Sequence, residues 1–346
     1  MRASLAGKLN IVPMIVLQGV AKRFGAVKAV DGVSFRADKG KFVVLLGPSG
    51  CGKSTLLRLI AGLEEVSEGK ILIEGRDVTA LDPTRRRISM VFQSYALFPH
   101  LTVAENIIFG LKVRKLPPVE RRERLARVAE LVGLAKQLDR KPQQLSGGQR
   151  QRVALARAIV SQNPICLMDE PLSNLDAQLR HDMRVEIRAL QRRLGMTVVY
   201  VTHDQVEAMS MADHVVLLRE GKIEQEGTPA ELYARPATTF AARFIGTPAM
   251  NLVPLQALQP GAAAGLTAGI RPEHIKIASN GSGAVGTVLS AEYHGADTIV
   301  TAQVNGASLL VRAPGQVGLP VGARVRLGWE KRDVHLFESA SGARTA

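Results

Sequence analysis

One octapeptide limits the possible folds of this 346-residue chain more than any other feature. Gly47–Ser54 reads GPSGCGKS and fits the pattern G-x-x-x-x-G-K-S/T. It follows Phe42–Leu46, a run of apolar residues that predicts a buried strand, and precedes STLLRLIAGL, which predicts a helix. A chance glycine-rich turn is the alternative, and this order of strand, loop and helix disfavours it. The sequence therefore predicts a loop that binds phosphate groups.

Each residue type in this loop has a physical role. Glycines let backbone N–H groups approach phosphate oxygens because no Cβ blocks the way, and the helix N-terminus adds its partial positive charge. Lys53 can reach the β- and γ-phosphates, and the Ser54 hydroxyl can ligate Mg²⁺. The predicted ligands of the loop are therefore the phosphates of a nucleotide and Mg²⁺, and ATP is the nucleotide that the resemblance described below implies. The predicted nucleotide-binding residues of the loop are Gly47, Pro48, Ser49, Gly50, Cys51, Gly52, Lys53, Ser54 and Thr55.

Two acidic residues follow a second buried strand. Asp169 ends the run Ile165–Asp169, where its carboxylate can hold Mg²⁺ through water. Glu170 comes next, and a carboxylate beside the γ-phosphate could orient or deprotonate the attacking water, a role worth roughly 10²–10⁴ in rate. An ordinary acidic residue at a helix start is the alternative for Glu170. Its position directly after this strand favours catalysis.

The order of predicted elements separates the chain into two domains. Up to about Pro236, strands alternate with helices such as Ala177–Leu194, which predicts an α/β fold with a mainly parallel sheet. Beyond it, short runs with glycine and Asn-Gly turns predict a small all-β barrel. We expect an N-terminal extension over 1–13, a nucleotide-binding domain over 14–235 and a β-barrel domain over 236–346. Whether translation starts at Met1 or Met14 stays open.

The chain is basic and poor in cysteine. Lys and Arg number 45 and Asp and Glu 31, a formal charge of +14, of which +11 precedes Phe240. Nucleic acid, a membrane surface and an anionic substrate are the usual partners of such a chain. Two cysteines exclude a disulfide framework and a cysteine-based zinc cluster. The longest uncharged stretch, 245–270, is broken by prolines and glycines. We interpret it as linker and loop, and expect a cytoplasmic, soluble chain.

The segment that decides the family is Leu145–Gln149, LSGGQ, which RQRVALARA follows. Together with the phosphate loop it makes the chain resemble the ATP-binding subunit of an ABC transporter. Ser146 is a good N-cap, and its two glycines would leave a second helix N-terminus open to an anion. The resemblance implies that Phe24 stacks against the adenine, that Gln93 contacts Mg²⁺ and water, and that His203 senses the γ-phosphate. It also implies that Asp176 belongs to the D-loop. The signature residues that it implies are Ser146, Gly147, Gly148 and Gln149.

The resemblance also implies partners. In the family two copies form a head-to-tail homodimer in which each ATP is closed over by the other subunit's LSGGQ. The dimer drives two membrane permease subunits on the cytoplasmic face of the bacterial inner membrane, as a peripheral subunit. The segment from Tyr95 to Phe109 would form the groove that receives the permeases. Leu97, Phe98 and Leu101 could be an exposed partner surface or packed core, and the sequence leaves both open.

The C-terminal region narrows the resemblance. FIGTPAMN, GIRPEHI, HGAD and VHLF resemble the OB-like (TOBE-type) regulatory barrel of importers in the maltose and sn-glycerol-3-phosphate group. PAMNL and the GAD segment favour the sn-glycerol-3-phosphate branch, and maltose or another sugar is the alternative. A periplasmic solute-binding protein is then implied, and a regulatory protein could dock on the barrel. The solute, the permeases and the ligand of the barrel stay open.

Two rival functions involve nucleic acid. A soluble ABC protein acting on DNA would need a long coiled-coil insertion, and one acting on the ribosome usually carries two cassettes; this sequence has neither. A small β-barrel can also bind nucleic acid, but its low net charge and few aromatic residues disfavour that. We therefore expect no nucleic-acid partner. The basic segments Arg85–Arg87, Lys112–Arg127 and Arg180–Arg193 are expected to form a solvated face near an anionic leaflet, at roughly 1 kcal/mol per residue.

Overall fold

The computed structural model of the chain describes residues 13–278 and 283–345. The predicted N-terminal extension lies outside the described residues except for Pro13, so the extension and the start site stay predictions. The chain divides into two compact units, Met1–Pro229 and Ala230–Ala346. The boundary predicted from sequence texture lies between residues 235 and 236, and it stays a prediction.

Strands and helices alternate through the first unit. Its strands are β1 (Ile15–Phe24), β2 (Val27–Val33), β3 (Arg36–Ala37), β4 (Phe42–Leu46), β5 (Glu68–Ile73), β6 (Arg76–Asp77), β7 (Ile88–Val91), β8 (Ile165–Asp169), β9 (Thr197–Thr202), β10 (His214–Arg219) and β11 (Lys222–Gly227). Its helices are α1 (Lys53–Ala61), α2 (Val103–Val113), α3 (Pro118–Leu131), α4 (Gly147–Ile159), α5 (Ala177–Leu194) and α6 (Gln205–Met211). The predicted ranges of β4 and α5 are confirmed.

The main sheet of the first unit has the strand order β11-β10-β4-β9-β8-β7. The strands from β10 to β7 pair in parallel, and β11 pairs antiparallel with β10. Every residue of β4, β8 and β9 is buried, as expected for parallel strands covered on both faces. The predicted α/β fold with a mainly parallel sheet is therefore confirmed. Because these strands run in the same direction, their carboxyl ends share one edge of the sheet.

A second sheet of the first unit is antiparallel, with the order β2-β1-β5-β6 and β3 paired to β1. It shares one hydrophobic core with α1 and the main sheet. This core contains Ile15 and Ile71 from the antiparallel sheet, Leu56 and Leu57 from α1, and Val201 from β9. The helix that follows the phosphate loop is therefore packed on both sheets.

A buried arginine holds the far end of α1. Arg86 is 3% exposed, and its guanidinium donates to the carbonyls of Leu59 and Ile60 in the last turn of α1. It also donates to the carbonyls of Thr79 and Leu81 in the segment before it. A cation near a helix C-terminus interacts favourably with the helix dipole. Arg86 thus stabilises the end of α1 that lies away from the phosphate loop.

Two arginines contradict the prediction of a solvated basic face. Within Arg85–Arg87, Arg86 is buried, so the prediction is wrong for that residue. Within Arg180–Arg193, Arg188 is 15% exposed in its side chain and pairs with Asp213 at 2.5 Å. Burial by itself would raise the pKa of Asp213, but hydrogen bonds from Arg188 and a backbone amide hold it below the ordinary value. Both arginines therefore act inside the fold.

The second unit consists mainly of antiparallel strands, in sheets of order β12-β13-β19 and β14-β18-β15-β16-β17. Its strands are β12 (Asn251–Pro254), β13 (Leu266–Ile270), β14 (Lys276–Ala278), β15 (Ala284–Tyr293), β16 (Asp297–Val304), β17 (Ala307–Pro314), β18 (Arg324–Gly328) and β19 (His335–Glu338). The sequence did not predict the short helices α7 (Pro229–Ala234), α8 (Thr239–Phe244) and α9 (Leu255–Leu258). The β-rich texture predicted for this region is confirmed.

The long uncharged stretch is folded. Residues 245–270 contain β12, α9 and β13, so the interpretation of the whole stretch as linker and loop is wrong in these parts. Across 13–278 and 283–345, no helix has both the length and the apolar character that crossing a membrane requires.

Replacing Arg86 should destabilise the chain. Arg86→Leu removes donors from two buried and two partly buried carbonyls, and a hydrogen bond from a charged group contributes about 1.5–3 kcal/mol. We expect the free energy of unfolding in urea to fall by about 2–4 kcal/mol. The neighbouring Arg85 is exposed, and Arg85→Leu serves as the control with a change below about 0.5 kcal/mol. Equal effects of the two substitutions would contradict the role of Arg86.

Candidate active site

The carboxyl edge of the main sheet collects the predicted site. The phosphate loop follows β4, Gln93 lies two residues after β7, Asp169 ends β8, and His203 follows β9. Crevices at the carboxyl ends of parallel strands are where such sheets bind ligands. The structure therefore brings four separate sequence motifs to one place.

Two positions of the loop require glycine because neighbouring backbone carbonyl groups lie too close for a side chain. Gly47 and Gly52 have φ angles of +153° and +97°. A Cβ on Gly47 would lie 2.3 Å from the Leu218 carbonyl oxygen, and one on Gly52 would lie 2.2 Å from that of Ala29. Real Cβ contacts do not reach these distances, so any other residue would displace the backbone. These glycines let the loop turn tightly into the N-terminus of α1 at Lys53.

Lys53 closes the loop. Its side chain is 4% exposed, and Nζ donates to the carbonyls of Gly47 and Pro48 at 2.9 and 2.8 Å. Cys51 Sγ lies 3.8 Å from Nζ, and burial raises the pKa of this thiol, which keeps it neutral. An ammonium group has three donor hydrogens, and a neutral thiol is a weak acceptor for the third. An anionic phosphate oxygen fits this donor better.

Ser54 and Asp169 are joined across 115 residues of sequence. Ser54 Oγ donates to Asp169 Oδ1 at 2.7 Å, and Asp169 is 7% exposed. A hydroxyl and a carboxylate are the hard oxygen ligands that Mg²⁺ prefers. The predicted metal ligands from the loop and from β8 are therefore in contact and fit the ion by their chemistry.

Glu170 and His203 form the second contact of the site. His203 Nδ1 lies 3.2 Å from Glu170 Oε2. Glu170 has a φ of +42°, and its amide donates to the Val201 carbonyl of β9 at 3.1 Å. A non-glycine residue in this region carries about 1–3 kcal/mol of strain, which is common at functional sites. The bond to β9 holds the Glu170 carboxylate at the sheet edge.

Gln93 is tied to the segment after Glu170. Gln93 Nε2 lies 3.4 Å from Ser173 Oγ, and the Gln93 carbonyl accepts from Asn174 Nδ2 at 3.1 Å. Ser173 Oγ also donates to the Glu170 carbonyl at 3.0 Å. Sequence reasoning gave Ser173 and Asn174 no role. A polar pair that begins three residues after Glu170 was the available signal.

The predicted signature packs on the first turn of α5 and on the segment before it. Ser146 caps α4 by accepting from the Gln149 amide, so the predicted N-cap is confirmed. A Cβ on Gly148 would lie 2.9 Å from Leu179 Cδ1, and one on Gly147 would lie 3.3 Å from Leu175 Cδ2. Within the described ranges, the hydrogen bonds of Ser146–Gln149 do not reach the phosphate loop.

Three predicted residues lie at the margin of the site. Asp176 caps α5 by accepting from the Leu179 amide at 2.9 Å. Thr55 lies in the first turn of α1. Phe24 ends β1 and is 49% exposed, with Lys22 Nζ 4.9 Å from its ring centroid. An exposed ring is available to stack on a flat ligand, and its role against adenine stays a prediction.

A cleft lies beside the segment after Gln93, and the permease groove predicted over Tyr95–Phe109 stays a prediction. A cleft of about 410 Å³ is lined by Ser94, Tyr95, Leu97, Pro99, Pro142, Gln143, Gly147, Arg150 and Asn174. Leu97, Phe98 and Leu101 are all partly buried. Phe98 packs on Phe109 with 4.4 Å between ring centroids. The apolar set is therefore neither fully exposed nor fully core.

Known families match both units. Residues 30–173 match the family described as ABC transporter, and residues 268–337 match the TOBE domain. The chain is 50% identical over 348 residues to the sn-glycerol-3-phosphate import ATP-binding protein UgpC of Brucella abortus, which covers 96% of this chain and 99% of the relative. It is 48% identical over 345 residues to the protein of the same name from Cereibacter sphaeroides, with 95% and 99% covered.

Solved ATP-binding cassettes resemble the first part of the chain. A cassette bound to ADP and Pi, in a dimeric post-hydrolysis state, is 35% identical with a TM-score of 0.56, over 62% of this chain and 99% of its own. A nucleotide-free cassette from an ABC transporter is 28% identical with a TM-score of 0.57, over 62% of this chain and 91% of its own.

Removing the buried ammonium should weaken nucleotide binding. Lys53→Ala deletes a donor worth about 1.5–3 kcal/mol toward a phosphate, so the Kd for ATP should rise roughly 10- to 100-fold. Titration of a fluorescent ATP analogue measures this. Lys39 is exposed and precedes β4, at the opposite end of the strand from the loop. Lys39→Ala is the matched control, and unchanged ATP affinity in Lys53→Ala would contradict the phosphate site.

Proposed function

The chain belongs to the ABC transporter family of ATP-binding proteins and is an ATPase of that type, and from this premise we propose that it drives the import of sn-glycerol-3-phosphate. The identity of about 50% extends over nearly the full length of both chains. The relatives at this level are named for sn-glycerol-3-phosphate import. We further propose that the chain acts as a peripheral subunit at the cytoplasmic face of a bacterial inner membrane.

The contact between Ser54 and Asp169 is the observation that supports hydrolysis at this site. In the proposed mechanism, the loop amides and Lys53 bind the β- and γ-phosphates at the N-terminus of α1. Ser54, Asp169 and Gln93 would hold Mg²⁺, which when bound neutralises negative charge on the phosphate oxygens.

Glu170 is the proposed base. Its carboxylate accepts from or orients the attacking water, while His203 contacts it through Nδ1 at 3.2 Å. A histidine that uses Nδ1 toward a carboxylate has Nε2 available for the γ-phosphate. The proton of the water would pass to Glu170 as the water oxygen attacks phosphorus, and ADP leaves with the β–γ bridging oxygen.

Membership in this family implies a dimer and membrane permease partners. We propose a head-to-tail dimer in which Ser146–Gln149 of one copy covers ATP held by Lys53 of the other. A solved cassette that resembles this chain is dimeric with ADP and Pi bound, which supports this arrangement. Closure driven by ATP binding and opening after hydrolysis would move the permeases between two states. A periplasmic solute-binding protein completes the proposed importer.

Removing the charge of Glu170 should separate binding from hydrolysis. Glu170→Gln keeps the shape and the contact to His203 but removes the base, so turnover should fall at least about 100-fold. The Kd for ATP should stay within about threefold, and an ATP-dependent dimer should become visible by light scattering. Glu74 is an exposed glutamate that is also left-handed (φ 50°), and Glu74→Gln is the matched control. Turnover near the wild-type value in Glu170→Gln would contradict the assignment.

Uptake in the source cell tests the proposed solute. Deleting the gene for this chain should abolish uptake of labelled sn-glycerol-3-phosphate at low concentration and leave maltose uptake intact. The wild-type chain should restore uptake, and the Glu170→Gln variant should not. A pull-down with the tagged chain should recover two permease subunits. Loss of maltose uptake instead would favour the alternative solute.

A further inference from the structure

The turn that follows Gln93 has an unusual backbone. Tyr95 and Ala96 both have positive φ angles, 63° and 45°. Residues with a Cβ seldom adopt this region, and two in succession carry steric strain. Such a turn persists only where the surrounding contacts hold it. Burial of the Tyr95 ring, 7% exposed, is one of these contacts.

Arg157 supplies the others. Its two terminal nitrogens donate to the carbonyls of Ala96 and Tyr95, each at 2.6 Å. The planar guanidinium presents two donors in a fixed fork, which suits two neighbouring acceptors. Burial lowers the pKa of Arg157, as expected of a desolvated group, and hydrogen bonds from a charged donor are the strong ones. Arg157 lies in the last turn of α4, so the hold on the turn comes from the helix that Ser146 begins.

The other side of Gln93 is fastened to the catalytic segment. Asn174 donates to the Gln93 carbonyl, and Ser173 lies between the Gln93 side chain and the Glu170 carbonyl. The short stretch 93–96 is therefore tied at one end to the loop after Glu170 and at the other to α4. A shift of α4 relative to the main sheet would act on Gln93 through this stretch.

We propose that Arg157 is a positioning residue that holds the Tyr95–Ala96 turn in its left-handed form and thereby sets the place of Gln93. The proposal rests on the ATPase function proposed above. Arg157 acts on the backbone of the turn, and its effect on hydrolysis passes through Gln93. Arg157 donates its hydrogen bonds to the Tyr95–Ala96 turn and not to the phosphate loop or Lys53. We therefore expect Arg157 to affect the rate of hydrolysis and not the affinity for ATP.

A glycine at Ala96 provides the discriminating experiment. Glycine adopts positive φ without steric cost, so Ala96→Gly should leave wild-type turnover nearly unchanged. Arg157→Ala should lower kcat at least about tenfold while the Kd for ATP stays within about threefold. In the double variant, the glycine should recover at least about threefold of the lost kcat. Arg157→Lys should be intermediate, since one ammonium cannot reproduce the paired bonds.

A second arginine on α4 is the matched control. Arg152 pairs with Glu186 of α5 at 2.8 Å, so Arg152→Ala also removes a guanidinium and a contact of α4 but leaves the turn alone. Ala96→Gly should not relieve any defect of Arg152→Ala. Hydrogen exchange of the amides in 94–98 gives a readout that does not need hydrolysis. Exchange there should be faster in Arg157→Ala and unchanged in Arg152→Ala.

Any other result contradicts either the positioning role of Arg157 or the proposed ATPase function. A kcat for Arg157→Ala within about twofold of wild type would overturn the positioning role, and so would a loss that Ala96→Gly does not relieve. Equal relief in the Arg152→Ala background would do the same. Circular dichroism shows whether Arg157→Ala folds. If it does not fold, Arg157→Lys is compared with and without Ala96→Gly in its place. Wild-type turnover in Arg157→Lys would then overturn the positioning role of Arg157. A wild-type chain without ATPase activity would contradict the proposed function, while the exchange data still decide whether Arg157 holds the turn.

Discussion

The parallel pairing of β4 with β9 and of β9 with β8 is the constraint on which the site depends. Leu46 pairs with Thr202, and Asp169 pairs with Val201. Buried backbone groups have no water to replace a lost partner, and a slip of one residue would turn every side chain to the other face. The register therefore fixes the phosphate loop, Asp169 and His203 relative to one another, and α1 inherits its position from the loop.

Patterns within a few residues of sequence predicted the strands and helices that position the site. They did not predict hydrogen bonds between residues that lie far apart in the sequence. The apolar run of β4, the N-cap at Ser146 and the amphipathic pattern of α5 each act within a few residues, and the structure has them where the sequence placed them. The sequence predicted a solvated face for Arg86 and gave Arg157 no role. Arg86 donates to two carbonyls of α1 and Arg157 to the turn after Gln93, all 26 residues or more away, and no local pattern reports such contacts.

Strained backbone at the site has a different origin from strained backbone elsewhere. Glu74 and Glu220 have positive φ angles and lie in turns between antiparallel strands. Tight hairpin turns require positive φ at such positions. Glu170, Tyr95 and Ala96 lie outside such hairpins. Each is held by a bond from a distant element, β9 for Glu170 and α4 for the other two. At about 1–3 kcal/mol per residue, such strain persists only where the surrounding contacts hold the backbone in place.

The charge of the chain bears on the proposed dimer. The part of the sequence before Phe240 carries +11, and like charges on two copies repel each other within the Debye length of about 8 Å at physiological salt. The signature contributes helix amides at Ser146 but has no lysine of its own. In the proposed dimer, the polyphosphate of a bound nucleotide would place negative charge between Lys53 of one copy and the α4 N-terminus of the other. Closure would then depend on the nucleotide, and loss of the γ-phosphate would weaken the contact that opposes the repulsion.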